Sequence, residues 1–109
     1  MEYVITSSFN EEANLWDVEL SGEFDIFNSA ELKSMLTDLT KEHAVDLRVD
    51  CAKVRFLDST AMGSLVAVLK NVKTYDGKMT LLGLNPNISR LFKITRLDRV
   101  FEIEGDSNG

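Results

Sequence analysis

The run Asp58, Ser59, Thr60, Ala61, Met62, Gly63 sets a carboxylate, two hydroxyls and a glycine within six residues, where an alternating apolar segment gives way to a helical one. At such a junction Asp and Ser oxygens accept bonds from the unpaired N–H groups of a first helical turn, so a cap is their plainest use. The same N–H groups favour an anion, and a phosphate esterified to serine supplies about −1.5 to −2 charge. A modifiable hydroxyl on Ser59 is the chemistry this segment suggests. Gly63 costs nearly 1 kcal/mol relative to alanine inside a helix. It serves either close approach of a partner to the hydroxyl or packing of the helix against a sheet. A second group, Gly22, Glu23, Phe24 and Asp25, ends a strand. Parallel topology brings that end to the same sheet edge as Ser59, so Asp25 and Asp58 could flank one hydroxyl. Gly and Asp are also ordinary turn residues.

The elements that must position these groups follow from periodicity. Tyr3 to Phe9 and Leu15 to Leu20 alternate apolar and polar residues around a turn at Asn10 to Asn14, which predicts a hairpin with Trp16, Val18 and Leu20 on one face. Asn28 precedes a helix bearing Leu32, Met35, Leu36 and Leu39, with Glu31 placed to complete a capping box. Leu47, Val49 and Cys51 alternate in a third strand that continues or bends through Val54 and Phe56 to Asp58. Met62, Leu65, Val66, Leu69 and Val72 form a helical stripe that Asp76 and Gly77 end, before a strand Met79 to Leu84. Asn85 and Pro86 suit the start of a last helix with Ile88, Leu91, Phe92 and Ile94, and Phe101 and Ile103 suggest a short edge strand. The order β-β-α-β-α-β-α implies a single α/β domain over residues 1–104, with a mixed, largely parallel sheet, right-handed crossovers and packed helices. Residues 105–109 read as a polar tail.

The 109 residues fit one domain, large enough to fold without metal or disulfide. Eighteen acidic and twelve basic residues give a net charge of −6, which opposes attraction to nucleic acid and to anionic lipid. Cys51, alone, reads as a buried thiol in a reducing cytoplasm. The start of the chain, with Glu2, Thr6, Ser7 and Ser8, carries no secretion signal, and the apolar run around Leu65 to Leu69 is too short to span a membrane. A cytoplasmic protein without membrane contact is expected. No phosphate loop, dinucleotide fingerprint or GxSxG elbow is present, and one Cys with one His makes no common zinc set. Neither an enzyme nor an intrinsic cofactor or metal is therefore expected. Arg90, Lys93, Arg96 and Arg99 recur every three residues, a solvated basic face or one that meets an acidic partner, and His43 suits a capping or surface role near a helix end.

The chain resembles the STAS domain of bacterial anti-sigma factor antagonists. The resemblance is carried by Gly22 to Asp25 with Asn28, Ser29 and Ala30, by Phe56 to Gly63, and by Pro86, Ile88, Arg90, Leu91, Phe92, Ile94 and Leu97. It spans nearly the whole chain, with Met62 a mild departure and Arg96 standing where relatives commonly carry glycine. The resemblance implies partner switching. Unphosphorylated protein binds an anti-sigma factor that is also a serine kinase of the histidine-kinase-like ATPase class, freeing the sigma factor; phosphorylation at Ser59, with Thr60 as the fallback acceptor, ends that binding, and a serine phosphatase restores it. ATP and magnesium come with the kinase. The implied partner-binding residues are Asp25, Phe27, Asn28, Asp58, Ser59, Thr60, Met62 and Gly63, on a monomer or weak dimer. The alternative circuit is a STAS interaction module of a non-sigma system, a stress-signalling scaffold or lipid-transport component. A hydrolase using Ser59 and a phospho-aspartate receiver using Asp58 are the rival classes; the first lacks a positioned base, the second an acidic doublet after the first strand.

Overall fold

The computed structural model describes residues 2–105; residues 106–109 of the expected tail lie outside the described residues. Strands β1 (Tyr3–Asn10) and β2 (Leu15–Phe24) form the hairpin, followed by α1 (Ser29–Glu42), β3 (Asp46–Leu57), α2 (Ser59–Lys73), β4 (Met79–Leu82), α3 (Pro86–Ile94), a 3-10 turn Leu97–Arg99 and β5 (Glu102–Glu104). The five strands lie in sequence order, with β1 and β2 antiparallel and every later pair parallel. Three crossovers that each advance one strand in the same direction must put their helices on one face when all are right-handed. That face carries Trp16, Val18, Leu20, Leu47, Val49, Met79 and Leu81, and it forms one core with Leu32, Leu36, Leu65, Val68, Ile88 and Phe92. The other face stays open. Asp17, Glu19, Arg48, Asp50 and Leu82 lie on it, and Arg48 pairs with Asp17 at 2.8 Å while Lys53 and Arg55 approach Glu19 and Glu23 at 3.8 and 3.5 Å.

Local chemistry sets the boundaries. In the hairpin turn the Asn10 side chain accepts the Ala13 N–H at 3.0 Å, and Asn14 takes the left-handed conformation at φ 55°, which a short polar side chain tolerates. α2 ends with Asp76, not Gly77, in the left-handed position at φ 61°, the Gly77 N–H closing onto the Val72 carbonyl. Asn85 caps α3 by accepting the Ile88 N–H at 2.9 Å.

Three expectations change. β3 gains an extra residue at two points in its register with β2, so after Cys51 the inward positions become Val54 and Leu57, and Phe56 turns out to the open face; each bulge offsets the alternation by one. β4 stops at Leu82 because Gly83 turns the chain at φ 69°. On α3 only Ile88, Ser89 and Phe92 are buried, leaving Leu91 39% and Ile94 69% exposed. A nine-residue helix against a sheet edge has room for one narrow stripe.

Candidate functional site

The β2–α1 connection is knitted by its own side chains. The buried Asp25 donates its N–H to Asn28 Oδ1 at 2.9 Å and accepts the Phe27 N–H on Oδ1 at 2.9 Å. Asn28 Nδ2 donates to the Glu23 carbonyl at 2.9 Å, and the Asp25 carbonyl accepts the N–H groups of Asn28 and Ser29. Asn28 therefore spends its side chain on the loop and forms no cap bond with α1, while Glu31 accepts the Tyr3 hydroxyl. The expected capping box does not form, because the Asn28 amide is already engaged by the Asp25 N–H and the Glu23 carbonyl of the loop.

Asp58 joins this loop to α2. Its N–H donates to the Phe24 carbonyl at 3.1 Å, Oδ1 accepts the Ala61 N–H at 2.8 Å, and Oδ2 accepts the Ile26 N–H at 3.2 Å. Parallel pairing of β2 with β3 makes this possible by bringing Phe24 opposite Leu57. The cap of α2 thus belongs to Asp58, and the exposed Ser59 is left at the first helical position. In the second turn of α2, Ser64 Oγ donates to the Ser29 carbonyl at 2.8 Å, tying α2 to the start of α1.

The surface so made has a defined composition. Ser59, Thr60 and Gly63 are exposed beside Ile26, 64% exposed, and Phe27, 90% exposed. A Cβ added at Gly63 would meet nothing within 4 Å, so helix packing does not explain this glycine. Three of the anticipated contact residues are largely buried. Met62 is only 6% exposed and packs in the core, its position one residue past Ala61 turning it inward; Asp25 and Asn28 are buried and shape the loop that presents Ile26 and Phe27. Asp25 and Asp58 each hold a backbone N–H of that loop. Ile26 stands out only in the structure; in the sequence it is half of an apolar pair, Ile26 and Phe27, between a strand and a helix and out of phase with both.

The remaining candidates separate from this surface. Arg90 and Lys93 sit on α3, but Arg96 follows the helix in the left-handed region at φ 64° and Arg99 lies in the 3-10 turn, so the four do not share one helix face. That φ is one that glycine adopts without strain and an arginine rarely does. His43 ends α1, stacks on Phe9 at 4.0 Å and accepts the Trp16 indole N–H on its carbonyl at 3.2 Å. Cys51 is buried, and loss of solvent pushes its thiol up to about 12, with Asp50 adding to the shift. Hollows of about 610, 440 and 290 Å³ lie on the open sheet face, beside β5 and near Asp76, and Ser59 lines none of them. Among the described residues no three His, Cys, Asp or Glu side chains group as metal ligands, and no helix is long and apolar enough to cross a membrane.

Comparison with known proteins agrees with this architecture. The STAS domain model matches residues 9–108. The anti-sigma-B factor antagonist of Listeria monocytogenes is 32% identical over 96 residues, covering 85% of this chain and 84% of that protein. Among solved structures, an anti-sigma factor antagonist from Mycobacterium paratuberculosis superposes with a TM-score of 0.81 at 20% identity, covering 98% of this chain and 89% of that one. The Bacillus cell fate determinant SpoIIAA in its phosphorylated form gives 0.72 at 15% identity, over 92% and 90% of the two chains. With the family model spanning most of its length and a curated relative at that identity, this chain belongs to the STAS-domain family of anti-sigma factor antagonists.

Proposed function

We propose that this protein works by partner switching: unphosphorylated, it binds an anti-sigma factor that is also a serine kinase, and phosphorylation of Ser59 ends the complex. The observation that carries the reading is Gly63, an exposed helical glycine that no neighbour requires, one turn from an exposed serine. A missing side chain there opens the approach to the Ser59 hydroxyl. Ile26 and Phe27 supply apolar area for the partner, held in place by Asp25 and Asp58. Rigid presentation lowers the ordering cost of binding. The hydroxyl is acted upon, with ATP and magnesium brought by the kinase and a serine phosphatase reversing the step.

One phosphate suffices by electrostatics. It adds about −1.5 to −2 charge beside Asp58, in a surface that binding must desolvate. A loss of about 3 to 4 kcal/mol weakens binding roughly two to three decades. The test measures affinity for the cognate anti-sigma factor by calorimetry with wild type, Ser59→Ala and Ser59→Asp. Retained affinity for alanine and its loss for aspartate is the expected pattern; a folded Ser59→Asp protein that binds as tightly as wild type overturns charge exclusion. A pull-down with Ser59→Ala as bait identifies the circuit: a histidine-kinase-like ATPase supports the sigma pathway, and transport subunits in its place point to a non-sigma module.

A further inference from the structure

The two edges of the sheet are built differently. β5 is three residues long and carries Glu102 and Glu104, a short charged strand that discourages pairing. β1 is eight residues long, YVITSSFN, with no charge, no proline and an unbroken register against β2. It has none of the devices that blunt an edge. The Glu23 N–H donates to the Glu2 carbonyl at 3.3 Å, which sets the phase of the ladder. In an antiparallel pair alternate residues face the partner strand, so the even-numbered residues of β1 bond toward β2 and the N–H and C=O groups of Tyr3, Ile5, Ser7 and Phe9 face outward.

We propose that β1 is a self-pairing edge through which two copies of this chain join their sheets antiparallel about a two-fold axis at Thr6. The outward groups are spaced for this register. Tyr3 of one copy lies opposite Phe9 of the other and Ile5 opposite Ser7, giving roughly eight backbone bonds, and each pair occurs twice, as an isologous contact requires. Side chains agree with the backbone. Tyr3, Ile5 and Phe9 are half-buried at the rim of the core, so pairing extends the apolar layer and sets an aromatic against an aromatic at both ends. Val4, Thr6 and Ser8 meet on the open face without charge. A second copy is favoured over a foreign strand because the strand is complementary to itself, and of the two described edges it is the one that meets its own copy without like charges opposed: β5 would set glutamates together. β2 lies between β1 and β3, so Ser59 stays clear of the seam. The net charge of −6 on each copy opposes association at low salt, and screening relieves it.

Sedimentation equilibrium from micromolar to millimolar chain tests the pairing, at low and at high salt. The mass is expected to rise from 12.3 kDa toward twice that value, and at lower concentration when salt is added. Ser7→Pro removes one outward N–H while leaving the bonds to β2, a tolerated use of proline on an edge. Thr6→Lys places two ammonium groups face to face on the axis. Both variants should remain monomeric through the range, with the far-ultraviolet circular dichroism of wild type confirming the fold. The proposal is overturned by a wild type that stays monomeric at millimolar concentration and high salt, or by both folded variants associating as wild type does. A monomeric wild type whose anti-sigma binding fails in Ser7→Pro would assign the edge to a partner's strand, and likewise overturns self-pairing.

Discussion

A glycine that no neighbour requires sits one helical turn from a serine that no cap requires. With open space around its would-be Cβ, Gly63→Ala should stabilise the protein by about 1 kcal/mol in urea unfolding, through better helix propensity and a less flexible unfolded chain. The same methyl should weaken anti-sigma binding tenfold or more; unchanged affinity would remove Gly63 from the interface. Cys51 gives a second residue-scale test. The folded thiol is raised to about 12 from an ordinary value near 9.0. Between those values the unfolded chain has released a proton that the folded one keeps, so stability falls as pH rises above the lower value. From pH 8 to pH 10 the loss is about 1.4 kcal/mol from this group, absent in Cys51→Ala. Denaturation curves at the two pH values for both proteins check it. Tyr75, also raised by burial and by Asp46, shifts both proteins alike.

At the scale of elements, Asp58 is the joint. Asp58→Ala removes the cap of α2 and the acceptor for Ile26, and should cost about 2 kcal/mol. Faster hydrogen exchange at the Ile26 amide would report the loosened loop; unchanged exchange would show that the loop holds itself. Arg96→Gly acts in the opposite direction. Relief of a left-handed arginine should add about 1 kcal/mol, read from the melting temperature. These elements were legible to different degrees, for physical reasons. Strand alternation and helical stripes revealed the order of the fold, and the Asp58 cap was local enough to read. The two bulges in β3 were not legible, since an extra residue is defined against the neighbouring strand; the inward Leu57 and outward Phe56 follow from pairing with β2. Asn28 misled for a similar reason. Its helix-start pattern is local, while the partners that won, Asp25 and Glu23, are offered by the folded loop. The presentation of Ile26 depends on Asp58, 32 residues away.

For the whole molecule, the switch should act without refolding. Charge at the start of α2 is favoured by the helix dipole, so Ser59→Asp should change unfolding stability by less than about 1 kcal/mol while binding collapses. Matched melting curves beside a lost calorimetric signal are the expected pair; a large drop in melting temperature would instead make release a consequence of unfolding. The two oxygens of Asp58 carry one more consequence. They grip α2 on one side and a loop from the first quarter of the chain on the other, so the proposed docking surface forms only after β3 has found its place beside β2. A circuit that works by titration counts molecules. Under the proposed partner switching the count would be self-validating: a chain in which Asp58 has not joined α2 to the Ile26 loop would present no surface and would go uncounted.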